Sequence, residues 1–208
     1  MTGDVSITKG ELKLAKDPRQ FIAALPKPAV PYVRYVGLDL ASSCGVGICD
    51  VVGGCRNFTI CGAQWDLSLS RYDTQSLRYL RLLSFLDAVA PNMICYEEVK
   101  FTAATPAPGK KISAIVARSV SGSDVVKGLA ANLVTWAEQR SIPCEAVPIG
   151  TLKRYATGKG SAGKVDMINA CNATFGTDLV AADYEKTGAD NVADAIFLCS
   201  YGVEKYET

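Results

Sequence analysis

The first thirty or so residues are polar and broken by proline, with Leu25-Pro26-Lys27-Pro28-Ala29-Val30-Pro31 reading as extended chain. Beyond them the chain turns into short apolar runs. Tyr35 to Leu40, Cys44 to Asp50 and Asn57 to Gly62 each read as a strand, and the turns between them are short enough to predict an antiparallel meander. The period then lengthens. Leu77, Leu80, Leu83 and Leu86 recur at helical spacing, which predicts a helix over 70–90 stopped by Pro91. Met93 to Tyr96 is again a strand. The stretch from Phe101 to Gly122, rich in Pro, Gly, Ala, Ser and Lys, reads as a loop leading into a helix over 124–140. Cys144 to Pro148 is a short strand, Thr151 to Tyr155 a short helix, Gly158 to Gly163 a loop, and helices follow over 164–175 and 190–201. Leaving out the short helix over 151–155, the order β-β-β-α-β-α-β-α-α predicts an α/β fold. Its centre is a mixed five-stranded sheet, three antiparallel strands then parallel ones, flanked by helices.

Length and composition narrow this picture. The chain has 208 residues, 49% of them hydrophobic, enough for one well-buried domain over 34–208 behind an extended or partly disordered N-terminal arm over 1–33. No apolar run is long enough for a membrane span, and Met1 to Lys16 lacks the apolar stretch of a secretory signal, so a cytoplasmic protein is expected. Eight cysteines contain no Cys-x-x-Cys pair and sit among apolar neighbours, as in Met93-Ile94-Cys95-Tyr96; they read as reduced core residues. The chain has no histidine, which removes histidine-based triads and makes a zinc site unattractive. Acid–base or metal chemistry must come from carboxylates, lysines and water.

Charge is unevenly spread. Between Lys100 and Lys164 ten basic residues (100, 110, 111, 118, 127, 140, 153, 154, 159 and 164) face three acidic ones, although the whole chain carries only +1. A basic middle in a neutral chain fits either an anionic partner or an ordinary solvated surface.

The carboxylates are more telling. Asp39 interrupts an apolar strand, where a charge is costly unless it is paired or holds a metal. Glu97 and Glu98 close the Met93–Tyr96 run; strand neighbours point to opposite faces, so only one can share a site with Asp39, and Glu97 is chosen. Asp190 and Asp194, four apart on the last helix, share a face with nothing but like charge between them. Hard oxygen ligands of this kind suit Mg2+ or Mn2+. The plain alternative is that each acid is a strand-end or helix-surface charge.

Four blocks of sequence resemble the RuvC family of Holliday-junction resolvases, members of the ribonuclease H-like superfamily. They are Gly37-Leu38-Asp39-Leu40-Ala41-Ser42-Ser43-Cys44-Gly45-Val46-Gly47, then Ile94-Cys95-Tyr96-Glu97-Glu98-Val99, then Pro148 to Gly160 with Lys164 following, and Asp190-Asn191-Val192-Ala193-Asp194-Ala195-Ile196. They run in family order over most of the chain and are most similar to the versions that phages encode. The resemblance implies a homodimer that nicks branched DNA, such as a four-way junction, at two symmetric phosphates. It implies two Mg2+ ions per site, with Mn2+ able to substitute, held by Asp39, Glu97 and Asp194. The fourth ligand is Asp190 or, in the family's own position, Asn191. Lys153 and Lys164 match basic positions used near the scissile phosphate and the DNA backbone, Lys164 as a catalytic group. Phe101 lies one residue from the place of an aromatic that wedges into the junction. With Lys100, Lys110, Lys111, Arg154 and Lys159, these residues make up the expected DNA-binding set.

Two features point elsewhere. Gly158-Lys159-Gly160-Ser161-Ala162-Gly163-Lys164 nearly matches a phosphate-binding P-loop, but Val165 stands where Ser or Thr must hold Mg2+, and no buried strand precedes it. A basic loop touching DNA phosphates, or a plain connection, fits better, and no nucleotide cofactor is expected. The first strand also resembles sugar kinase and actin-like ATPases, whose two nucleotide-binding halves need a longer chain. The remaining competitor to a nuclease is a non-catalytic protein that binds branched DNA.

Overall fold

The computed structural model describes residues 14–15, 29–52, 60–99 and 122–207. Lys100, Phe101, Lys110, Lys111, most of the arm, the expected loop from Phe101 as far as Ser121 and the beginning of the expected third strand lie outside the described residues.

The elements are β1 (Leu14–Ala15), β2 (Tyr32–Asp39), β3 (Ser43–Val52), β4 (Ile60–Asp66), α1 (Gln75–Val89), β5 (Met93–Glu97), α2 (Gly122–Gln139), β6 (Cys144–Val147), α3 (Ile149–Thr157), α4 (Lys164–Phe175), α5 (Tyr184–Thr187) and α6 (Ala189–Tyr206). The sheet order is β1-β4-β3-β2-β5-β6. β2, β3 and β4 form the antiparallel meander, while β5 and β6 add to β2 in parallel. This is the expected mixed five-stranded sheet, with the two-residue β1 added in parallel at the β4 edge. Neither β1 nor α5 is predicted by periodicity, since each spans only about one repeat of the pattern that would announce it.

Alternation along the strands sorts the core into two layers. Val36, Leu38, Val46, Ile48 and Ile94 face α1 and α2, while Tyr35, Cys49, Met93 and Cys95 face α4 and α6. Two helices differ from expectation. α1 begins at Gln75 rather than Ser70, because Asp73 caps a turn instead: its carboxylate accepts the Ser70 N–H at 2.7 Å. Its buried face is also not the leucine stripe. Arg78, Leu82, Phe85, Leu86 and Val89 are buried, whereas Leu80 is 60% exposed. A strict three-residue spacing falls about 60° short of a full turn at each step, so Leu77, Leu80, Leu83 and Leu86 wind around the helix instead of lining one side. α6 runs on to Tyr206, past the expected end at 201, where the Lys205 ammonium meets Glu145 at 2.6 Å and the Tyr35 hydroxyl donates to Glu207 at 2.7 Å.

Candidate functional site

The site begins with three glycines. Gly37, Gly47 and Gly62 pair in a row across β2, β3 and β4 beneath α6. A Cβ on Gly37 would lie 2.1 Å from the Ala195 carbonyl oxygen, and one on Gly47 2.5 Å from the same atom. A Cβ on Gly45 would lie 1.9 Å from the Asn191 carbonyl oxygen. Real side chains do not tolerate such distances, so α6 rests its backbone directly on the sheet because these positions carry none.

That seating brings the acids together. Asp39 is the cross-strand partner of Gly45, and Gly45 lies under Asn191, so Asp39 ends β2 beside the first turns of α6. Asp190 and Asp194 lie one turn apart on those same turns. β5 runs parallel to β2 with Leu38 opposite Tyr96, so Glu97 ends its strand next to Asp39. Alternation turns Glu97 toward α6 and Glu98 away. Carboxylates from β2, β5 and α6 therefore gather at one end of the sheet.

Electrostatics agrees with this placement. Burial first, then the charges of Asp194, Glu97 and Asp190, push the Asp39 carboxyl well above the usual carboxylate range. Burial, then Glu97 and Asp190, raise Asp194 to about 7. Burial raises Glu97, and Lys153 partly offsets it. Asp194 Oδ1 is buried without any hydrogen-bond partner. The set is thus short of positive charge and all oxygen in its donors, as a hard divalent cation requires. Among the described residues no group of three or more His, Cys, Asp or Glu side chains stands close enough together to hold a metal ion as placed. Asp190 instead meets Lys164, Nζ to Oδ2 at 2.6 Å.

The other expected residues fall on two sides of this cluster. Lys164 opens α4, and Lys153 lies on α3 where its charge is felt by both Glu97 and Asp194. Arg154 and Lys159 are exposed on the last turn of α3 and the loop after it. That loop joins two helices, α3 and α4, rather than a strand and a helix, which removes the P-loop resemblance. Asn191 is engaged elsewhere: its Nδ2 donates to the Ser43 carbonyl at 2.8 Å and ties α6 to the start of β3. Asp190 is the neighbour whose charge reaches Asp39 and Asp194.

Three residues here escape sequence reasoning. The ring of Tyr184 lies 5.2 Å from Lys164 Nζ, yet Tyr184 sits in a one-turn helix with no periodic signal. Gln64 is buried against Gly188 at the start of α6, a meeting of distant segments that spacing cannot announce. Arg78, also buried, donates to Ser42 Oγ at 3.0 Å from the opposite face of the sheet. Its charge in an apolar helix face is a visible signal, but its partner is not.

No family model matches the chain, and no curated protein matches it either. Solved structures do. RuvC of Thermus thermophilus superposes with a TM-score of 0.55 at 18% identity, covering 83% of this chain and 97% of that one. T. thermophilus RuvC in complex with a Holliday junction substrate superposes with a TM-score of 0.55 at 19% identity, covering 83% and 96%. At these identities the likeness is one of fold, and the fold is RuvC-like.

Proposed function

We propose that this chain is a structure-selective endodeoxyribonuclease that hydrolyses phosphodiester bonds in four-way junctions or related branched DNA. The observation that carries the reading is the gathering of Asp39, Glu97, Asp190 and Asp194 at one sheet end, with Asp194 Oδ1 buried and unpartnered. The RuvC-like fold supports it, as does the fact that one structural neighbour holds a Holliday junction substrate. Asp39, Glu97, Asp190 and Asp194 would hold two Mg2+ ions, or Mn2+ in their place; bound there, such ions lower the pKa of water and neutralise the leaving oxygen.

The remaining roles follow from position. Asp39, Glu97, Asp190 and Asp194 orient the reacting phosphate through what they bind, and their own burial keeps bulk water from screening them. Lys153 and Lys164 stand beside the cluster and offset charge on a phosphate brought to it. Exposed Arg154 and Lys159 contact backbone phosphates, and the DNA-binding role expected of Lys100, Phe101, Lys110 and Lys111 is kept as part of this reading. Symmetric nicks need two sites, so the reading includes a homodimer. The described cysteines are free thiols, which suits a reducing, cytoplasmic setting.

A second reading, branched-DNA binding without cleavage, is favoured by the closed Lys164–Asp190 pair. One assay separates the two. A labelled four-way junction and its matched duplex are incubated with the protein, with and without Mg2+, and nicks are mapped. The nuclease reading expects paired symmetric nicks in the junction alone, dependent on Mg2+ and absent for Asp39→Asn. Junction binding with no nicks in Mg2+ or Mn2+ would leave the binder.

A further inference from the structure

The Lys164–Asp190 pair can be read as more than a surface bridge. The Asp190 side chain is 7% exposed and that of Lys164 60%, so a solvated ammonium reaches inward to a buried carboxylate. The same ammonium lies 5.2 Å from the Tyr184 ring and feels the charge of Asp39. Tyr184 and Asp190 stand on either side of Gly188, whose left-handed backbone (φ +67°) and N–H bond to the Tyr184 carbonyl at 2.7 Å fix their separation. Ring and carboxylate therefore hold the ammonium between them at the mouth of the acidic cluster. The one positive charge is spent on Asp190 and leaves Asp194 Oδ1 buried without a partner.

We propose that Lys164 is the resident counter-ion of the cluster, exchanged for a divalent cation. Its ammonium holds Asp190 Oδ2 until the cation takes that oxygen. It then moves outward along the Tyr184 ring, where a cation is still favoured, and faces a DNA phosphate. Metal loading and arming of the lysine become one event. This inference rests on the metal-site reading above and adds to it a competition that the reading does not require.

The experiment measures Mn2+ affinity of the full chain, without DNA, by titration calorimetry. The proteins are wild type, Lys164→Met, Lys164→Arg and Lys153→Met. Removing the competitor is expected to tighten Mn2+ binding in Lys164→Met by about fivefold, the upper range for a partly exposed ion pair. Lys164→Arg keeps the competing charge and stays near wild type. Lys153→Met removes a nearby charge that holds no carboxylate by a described hydrogen bond, and it tightens binding less. In parallel, amine acylation mapped by mass spectrometry should show Lys164 labelling rising on Mn2+ addition to wild type. Unchanged or weaker Mn2+ binding in Lys164→Met, or an equal gain in Lys153→Met, overturns the exchange and leaves the metal site standing. No Mn2+ binding by any of the four proteins overturns the metal site, and the exchange with it.

Discussion

β2 has buried charge near both its ends, and the two ends treat it in opposite ways. Near the first, Arg34 meets Asp50 through two hydrogen bonds of 2.6 and 2.7 Å, gives a third to the Val89 carbonyl at 2.7 Å, and receives help from Asn92, whose side chain accepts the Arg34 backbone N–H at 2.7 Å. At the second, Asp39 faces other carboxylates, and Asp194 Oδ1 accepts nothing. The first end is closed: every charge has its opposite, and the group is structural. The second is short of cations by construction. One strand thus shows that burial of charge alone says little about function; what matters is whether the protein completes the neutralisation itself.

The comparison can be broken at its closed end first. Arg34→Met leaves Asp50 buried without its partner, and a loss of about 3–5 kcal/mol in urea-unfolding stability is expected. A loss near zero would mean that the two ends are not different in kind. At the open end, Asp39→Asn should reduce junction cleavage by at least about 100-fold, the order found when a group stabilising transition-state charge is removed. The same substitution should raise the melting temperature of the metal-free protein, since it relieves repulsion; a fall would place Asp39 among the structural charges.

Gly47→Ala comes next in size. It puts a methyl group 2.5 Å from the Ala195 carbonyl oxygen, and the strain is expected to cost about 1–3 kcal/mol. Cleavage should fall further than stability does, because α6 must lift the acids it carries. The last test is in pH. Asp194 is raised to about 7 from the ordinary value of 3.8, so between those values the folded protein holds more of this proton than the unfolded one. Its contribution to metal-free stability is therefore full below about 4 and lost as pH rises through 7. Melting in a chelator should decline over that window from this group, and Asp194→Asn should flatten the slope. Added Mg2+ should restore more stability at neutral pH than at pH 5.

Much of this was legible in the chain. Apolar runs placed β2, β3 and β5 to within a few residues, and strand alternation said that only one of Glu97 and Glu98 could face Asp39; which one follows from the register of β5 on β2. The i, i+4 spacing put Asp190 and Asp194 on one face. The misses have physical causes. The α1 leucines imitated a stripe that three-residue spacing cannot form, and the buried side turned out to carry Arg78. The Arg34–Asp50 pair depends on strand register, which no local pattern encodes, and the same holds for Asn191 reaching Ser43. Tyr184 lies in an element too short to show a period. The glycines of the first two strands were visible but read as ordinary strand residues; only the approach of α6 reveals why they are bare.

That row of bare positions sets a tolerance on the whole design. Because backbone meets backbone there, the spacing between sheet and helix has no side chain left to adjust, and an error in it passes undamped to the carboxyl groups. A saturation library scored for nicking should therefore find Gly37, Gly45 and Gly47 as unforgiving as the acids themselves, though they contribute no reactive atom. Residues that perform chemistry and residues that merely keep clear would look alike in such a screen, and only a separate measurement of folding would tell them apart.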